Sequence, residues 1–169
     1  RAVMAPIKGG RLIQTNDGSF FADLRKRGIL REGIENALGT YFDLNDQHAF
    51  RLLSEKTDGL GMTHLNFQQE FKGIPLDACI ILVHVKDGEV VSMNGKVGEF
   101  TELNTRPSIS KERSFTIAKE FLNIDADVKS LYPIELVIAR TEQEGSAGFK
   151  LAYKVRVDAL KQSVMCYVY

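Results

Sequence analysis

The sequence predicts an α+β protein built of two small units, each a helix packed on an antiparallel β-sheet. Three observations carry that expectation: two segments with helical spacing of apolar residues, several runs with strand-like alternation, and turn residues between consecutive runs. In each half the helix comes first and a meander of strands follows. That order places one helix across one face of each sheet.

Residues 1–27 carry glycine pairs and little periodicity, and are expected as an N-terminal arm, extended and packed onto the rest or partly mobile. Across 29–42, Leu30, Ile34, Ala37, Leu38 and Tyr41 keep helical spacing with Arg31, Glu32 and Glu35 opposite, which predicts an amphipathic helix. Turn chemistry over 43–46 leads to a first strand over 49–54. In the stretch 62–75, MTHLNFQQEFKGIP, Leu65, Phe67 and Phe71 alternate with His64, Asn66, Gln68 and Glu70, giving one buried and one wet face. Gly73 and Pro75 then require a bend or bulge, because proline has no N–H for a ladder.

Residues 78–85 are apolar on both faces and suit a central strand; Asp87-Gly88 supplies a two-residue hairpin to a partner over 90–97. The pattern lapses over 99–110, where Pro107 and several Ser and Thr residues indicate a domain boundary. A second helix, N-capped by Ser110, is expected to bury Ile117, Ala118, Phe121 and Leu122. Three strands follow: 133–140, then 149–157 with Phe149, Leu151, Tyr153, Val155 and Val157 alternating with charged residues, then SVMCYVY. The GSAG over 145–148 joins the first two. The expected units are thus an arm over 1–27 and two domains over 28–100 and 101–169.

With 169 residues, 44% of them hydrophobic, the chain buries roughly two-thirds of its unfolded surface and needs no metal or disulfide to fold. Lys+Arg and Asp+Glu both number 22, so there is no global pull toward nucleic acid or anionic lipid. Arg25, Lys26 and Arg27 beside Asp23 read as a solvated face. No apolar run approaches the roughly 20 residues a membrane span needs, and the opening RAVMAPIKGG has neither n-region nor h-region. Cys79 and Cys166 form no C-x-x-C; buried free thiols are expected, with a bridge in an oxidising compartment as the alternative.

His48, His64 and His84 are the only histidines, with none within five residues of another, so a helical metal motif is missing. His64 and His84 are able to meet across neighbouring strands, where facing residues sit about 5 Å apart. No third ligand has a claim, and structurally paired histidines are expected instead of zinc. There is no G-x-S-x-G, P-loop or G-x-G-x-x-G, and both cysteines lie in apolar runs that disfavour a thiolate. Along 149–157 the aromatics and the cations Lys150, Lys154 and Arg156 fall on opposite faces, unlike an RNA-stacking sheet. A well-specified fold without a reaction centre suits a binding module.

Residues 59–95, GLGMTHLNFQQEFKGIPLDACIILVHVKDGEVVSMNG, resemble the fungalysin/thermolysin propeptide (FTP) domain. The match rests on Gly61, His64, Phe67, Gln69, Gly73, Pro75, Val83, His84, Gly88, Asn94 and Gly95, in order and at the family's spacing. Asn66 departs from the arginine usual there, and Ala78 from a common glycine. Downstream, the helix KERSFTIAKEFL and the run GFKLAYKVRVDA before VMCYVY look like the PepSY domain that follows FTP in thermolysin-like zinc metallopeptidases.

The resemblance implies cystatin-like units, FTP-like over 28–100 and PepSY-like over 101–169, the latter C-terminally truncated relative to a family whose last strand runs on into a glycine turn. It implies a non-catalytic prosegment, separated from or part of a longer secreted precursor, that acts as intramolecular chaperone and inhibitor. Its partner would be the catalytic domain of a cognate thermolysin-like metalloprotease in a secreted or extracytoplasmic setting, with no cofactor, nucleic acid or membrane span. Expected contact residues are His64, Asn66, Gln68 and Glu70 on the wet face, with His84, Tyr167 and Tyr169. The alternative is a stand-alone secreted FTP/PepSY module that binds peptides or regulates envelope proteases; the reading frame beyond residue 169 separates the two.

Overall fold

Alternation and turn residues decide most of the strands in the computed structural model, which describes residues 11–15, 17–143, 146–159 and 162–169. In chain order the elements are β1 (Arg11–Gln14), β2 (Ser19–Asp23), α1 (Ile34–Tyr41), β3 (His48–Thr57), β4 (Met62–Phe71), β5 (Ile74–Lys86), β6 (Glu89–Lys96), α2 (Lys111–Phe121), β7 (Glu135–Gln143), β8 (Ser146–Ala159) and β9 (Gln162–Val168). The α+β class is as the sequence indicates. Instead of two separate sheets, these strands share one nine-stranded sheet with the path β1-β2-β6-β5-β7-β8-β9, and β4 and β3 branch from β5. All pairings are antiparallel except the junction, where Leu76 of β5 meets Ile138 of β7 in parallel.

Within the expected arm, Arg11–Gln14 and Ser19–Asp23 are strands: β1 pairs with β2, and β2 with β6, with Phe20 and Ala22 turned into the core. Residues 1–10 and Gly145, part of the expected GSAG loop, lie outside the described residues, and 146–148 of that loop belong to β8. β4 and β5 are joined by Lys72-Gly73 and β5 and β6 by Asp87-Gly88, with φ of 49°, 79°, 52° and 81°. Those left-handed pairs match the twist of the flanking strands.

α1 is shorter than the helix expected over 29–42. Gly33, at φ 79°, interrupts helical geometry, and the residues before it pair with β6 instead: Val90 N–H donates to the Ile29 carbonyl at 2.7 Å and Arg31 N–H to that of Gly88 at 2.9 Å. From α1, Ile34 and Leu38, with Phe42 just beyond, pack on Phe20, Phe50, Leu65, Phe67, Ile81, Val83 and Met93. In α2 the Ser110 side chain accepts from Arg113 N–H, as an N-cap should. Phe121, expected inside, is 84% exposed, and Phe115 is the inward aromatic, packed with Ala118 on Val155, Val157 and Val168. Residue 121 lies about 100° round the helix from Leu122, which packs on that core, and so points off its flank. Buried Lys119 closes the following turn by donating to the carbonyls of Ala126 and Val128 at 2.6 and 2.9 Å.

A third core holds the halves together: Phe71, Leu76, Cys79 and Ile138, flanked by Ile74, Phe100, Leu103, Phe149 and Leu151. Both thiols are free, Cys79 buried and Cys166 half-buried, and burial pushes Cys79 up to about 11. Two adjacent glutamines build this junction. Between the pairs Gln68↔Ile80 and Glu70↔Pro75 the ladder slips, so residues 76–79 bulge away from β4 toward β7, with Ala78 at φ 61° in the conformation glycine tolerates best. Gln68 Nε2 donates to the Leu76 carbonyl at 2.8 Å and reaches that of Cys79 at 3.3 Å. On the other face Gln69, fully buried, accepts from Gly98 N–H and donates to the Gly98 carbonyl, both at 2.8 Å. It also donates to His48 Nδ1 at 3.0 Å, while His48 Nε2–H donates to the Phe100 carbonyl at 2.8 Å. A Cβ at residue 98 would lie 2.6 Å from the Leu76 side chain and 2.8 Å from the Phe149 ring, so any other residue there must push them aside.

Among the described residues no helix is long and apolar enough to cross a membrane.

Gln69→Leu keeps roughly the volume but strands both polar groups of Gly98 and His48 Nδ1 in the core; at about 1–3 kcal/mol for each of these three groups, stability should fall by at least about 3 kcal/mol, read as a lower urea midpoint. Burial pushes the His48 pKa below its ordinary value, against the smaller opposing effect of the Phe100 carbonyl. The unfolded chain therefore binds more protons than the native one as pH falls below about 6.5, and stability is lost in that direction. His48→Gln should flatten that slope by up to about 1.4 kcal/mol per pH unit in urea titrations repeated between about pH 7 and 5.

Candidate interaction surface

The sheet around β4 has one face under α1 and, among the described residues, no helix over the other. Alternation on β4 puts Leu65, Phe67, Gln69 and Phe71 inside and His64, Asn66, Gln68 and Glu70 on the open side. Cross-strand register brings Lys56 and Ser54 of β3, His84 and Leu82 of β5, Ser92 and Asn94 of β6, and Phe21 and Asp23 of β2 onto that same face.

Many of the polar side chains there are bonded to one another. His64 and His84 stand directly opposite, with Nδ1 atoms 2.8 Å apart; His64 Nε2 lies 2.9 Å from Asp58 Oδ2, and His84 Nε2 2.8 Å from Asn94 Oδ1. Asp58 also accepts from the backbone N–H groups of Leu60 and Met62. These bonds, that from His64 first, hold its carboxyl down to about 2. Asn66 donates to Ser54 Oγ at 2.8 Å, and Arg51 pairs with Glu70 at 2.6 Å. Gln68 is spent on the β5 bulge. No group of three or more metal-binding side chains occurs among the described residues, and the two histidines have hydrogen-bond partners in place of a third ligand.

Tyr167 and Tyr169 are not beside this row. β9 is the far end of the strand path, and its outer edge has no strand partner among the described residues. Tyr167 O–H donates to Asp77 Oδ2 at 2.6 Å, and Lys154 Nζ donates to Asp77 Oδ1 at 2.9 Å. Burial and the Asp77 carboxylate raise the phenol to about 12. Met165, Tyr167 and Tyr169 are 46%, 38% and 54% exposed on the face of β9 away from α2. Arg156 stacks 4.0 Å from the Tyr132 ring centroid on that side. A hollow of about 300 Å³ opens between the 103–109 segment and β8, lined by Leu103, Pro107, Ile109, Phe149, Leu151 and Tyr169.

The His64–His84 meeting is legible from strand spacing alone. The partners at either end, Asp58 and Asn94, are not, because the first sits in a loop and the second across a bulge in β6. Asp77 is invisible in the sequence for a similar reason: its partners lie on β8 and β9.

Residues 49–97 match the Fungalysin/Thermolysin Propeptide Motif. Over a longer stretch the chain is similar to the thermostable neutral protease NprT of Geobacillus stearothermophilus, 31% identical over 117 residues that span 63% of this chain and 20% of that protein. It is 34% identical over 84 residues, 47% of this chain and 15% of theirs, to thermolysins of Alicyclobacillus acidocaldarius and Bacillus caldolyticus. The chain therefore matches a fifth or less of each of these proteases, and within it residues 49–97, which include the His64–His84 pair and Gln69, carry a propeptide motif.

Proposed function

We propose that this chain is prosegment material of a thermolysin-like metalloprotease, with an FTP-like first half and a PepSY-like second half, that assists folding of the catalytic domain and blocks it. The observation that carries the reading is the propeptide motif over 49–97 together with similarity to neutral proteases that extends well beyond it. A surface that binds the native protease occludes it, and the same complementarity toward a late folding intermediate lowers the barrier to a slow-folding β-rich lobe.

Two features support such a role. The open face around β4 is preorganised by its own hydrogen bonds, so binding there costs little side-chain ordering. Its candidate contacts are His64, Asn66, Gln68, Glu70 and His84. The edge of β9, without a strand partner among the described residues, offers backbone groups for strand addition beside exposed Met165, Tyr167 and Tyr169 and the cation Arg156. Aromatic residues, Met and Arg are the side chains that interface centres favour. A secreted or extracytoplasmic setting follows from the same reading.

Added in trans at about 10 μM to a cognate thermolysin-like catalytic domain, the chain should slow peptide cleavage several-fold and raise the yield of active enzyme on refolding from denaturant. Unchanged cleavage rates at high micromolar chain, with refolding yield also unchanged, would remove the proposal. Tyr169→Ala, which leaves every internal hydrogen bond above intact, should weaken inhibition by about tenfold without moving the urea midpoint.

A further inference from the structure

Asp58, His64, His84 and Asn94 form one hydrogen-bonded chain across a loop and three strands. The hydrogens available to it decide what it can hold. The Asp58 carboxylate only accepts, so His64 Nε2 carries a hydrogen. The two Nδ1 atoms, 2.8 Å apart, need one hydrogen between them. At the far end His84 Nε2 donates if the Asn94 oxygen faces it, or accepts if the Asn94 amide is turned over.

Two states thus keep all three bonds. With three ring hydrogens the pair carries one positive charge and Asn94 presents oxygen; with two it is neutral and Asn94 presents nitrogen. A fourth ring hydrogen sets N–H against N–H across the Nδ1 contact, and that bond is lost.

The surrounding charges make the limit sharper. Lys56 stands opposite His64 on β3, and Lys86 lies two pairs along on β5 with its Nζ donating to the Leu60 carbonyl at 2.5 Å. On β2, Asp23 faces Ser92 but is neutralised by Arg25 at 2.6 Å. Asp58 balances one positive charge on the pair, and two lysines oppose a second.

We propose that the His64–His84 pair is an acid-operated lock: it clasps β4 to β5 on the open face while it holds at most one positive charge, and uptake of a second proton opens it. Opening parts the two rings, each keeping its own partner, His64 with Asp58 and His84 with Asn94, so the link between the β4 side and the β5–β6 side of the face is lost. The face therefore keeps its shape at neutral pH and loses it in acid. This goes beyond the prosegment reading and does not depend on it, since every readout below is on the isolated chain.

The test follows the ring Cε1–H resonances of His64 and His84, with backbone amide exchange, from about pH 8 to about pH 4.5. Summed over both rings, the first change should amount to one neutral-to-charged step with the sheet amides still protected. The second step should coincide with at least about a tenfold loss of protection over 62–66 and 82–86. Asn94→Asp, whose carboxylate can only accept, fixes the three-hydrogen arrangement and should move the first step to higher pH. In His84→Gln, His64 should show the whole step in one ring, with no accompanying loss of protection. Two complete steps with protection undiminished, or Asn94→Asp leaving the first step in place, would overturn the lock.

Discussion

Two neighbouring side-chain amides, pointing to opposite faces of one strand, do the work of missing backbone partners. Gln68 fills the gap that the 76–79 bulge leaves in the β4–β5 ladder, and Gln69 pairs with both polar groups of Gly98 as a strand neighbour would. A buried peptide group without such partners costs about as much as the whole net margin contributed by a few ordinary hydrogen bonds. The bulge carries Leu76 to β7, and the anchored Gly98 leads the chain so that Phe100 stacks against His48, Phe71 and Phe149 with centroids 4.8–5.0 Å apart. Through those contacts the two halves become one sheet.

Much of this was legible in the residues because the signals are local. β4 and β6, the Asp87-Gly88 turn and the Ser110 cap depend on side-chain period or on φ preferences within a few positions. The misreadings share a different cause. Residues 29–33 have a helical pattern yet spend their backbone on β6, and Phe121 has an apolar side chain at helical spacing but points off the flank of α2, while its neighbour Leu122 meets the strands. Both depend on where distant elements sit. β1 and β2 were hidden likewise, since their pairing follows from β6 having a free edge.

Gln69 is the most instructive case. Alternation places it inside, and polarity argues that it should be out; the conflict is resolved only by Gly98, 29 positions away. A glutamine at a core position is thus a pointer to an unpaired backbone group elsewhere in the chain. The His64–His84 contact was visible because strand register alone creates it, whereas Asp58, Asn94 and Asp77 required the loop, the bulge and the packing of β5 beside β8 and β9.

The residues that carry the family resemblance are largely committed inside this chain. His64, His84 and Asn94 bond to one another, Gln69 bonds to Gly98 and His48, and the matched glycines serve turns and close approaches. A polar group already satisfied within its own fold gains little from a partner, because one good hydrogen bond is merely exchanged for another. Exposed apolar surface gains about 25 cal/mol for each Å² that a partner covers. In the partner-binding role proposed above, affinity should therefore come from side chains outside the motif such as Met165 and Tyr169, which are 46% and 54% exposed. The motif holds the scaffold in register, and the exposed side chains around it are free to differ without disturbing that scaffold.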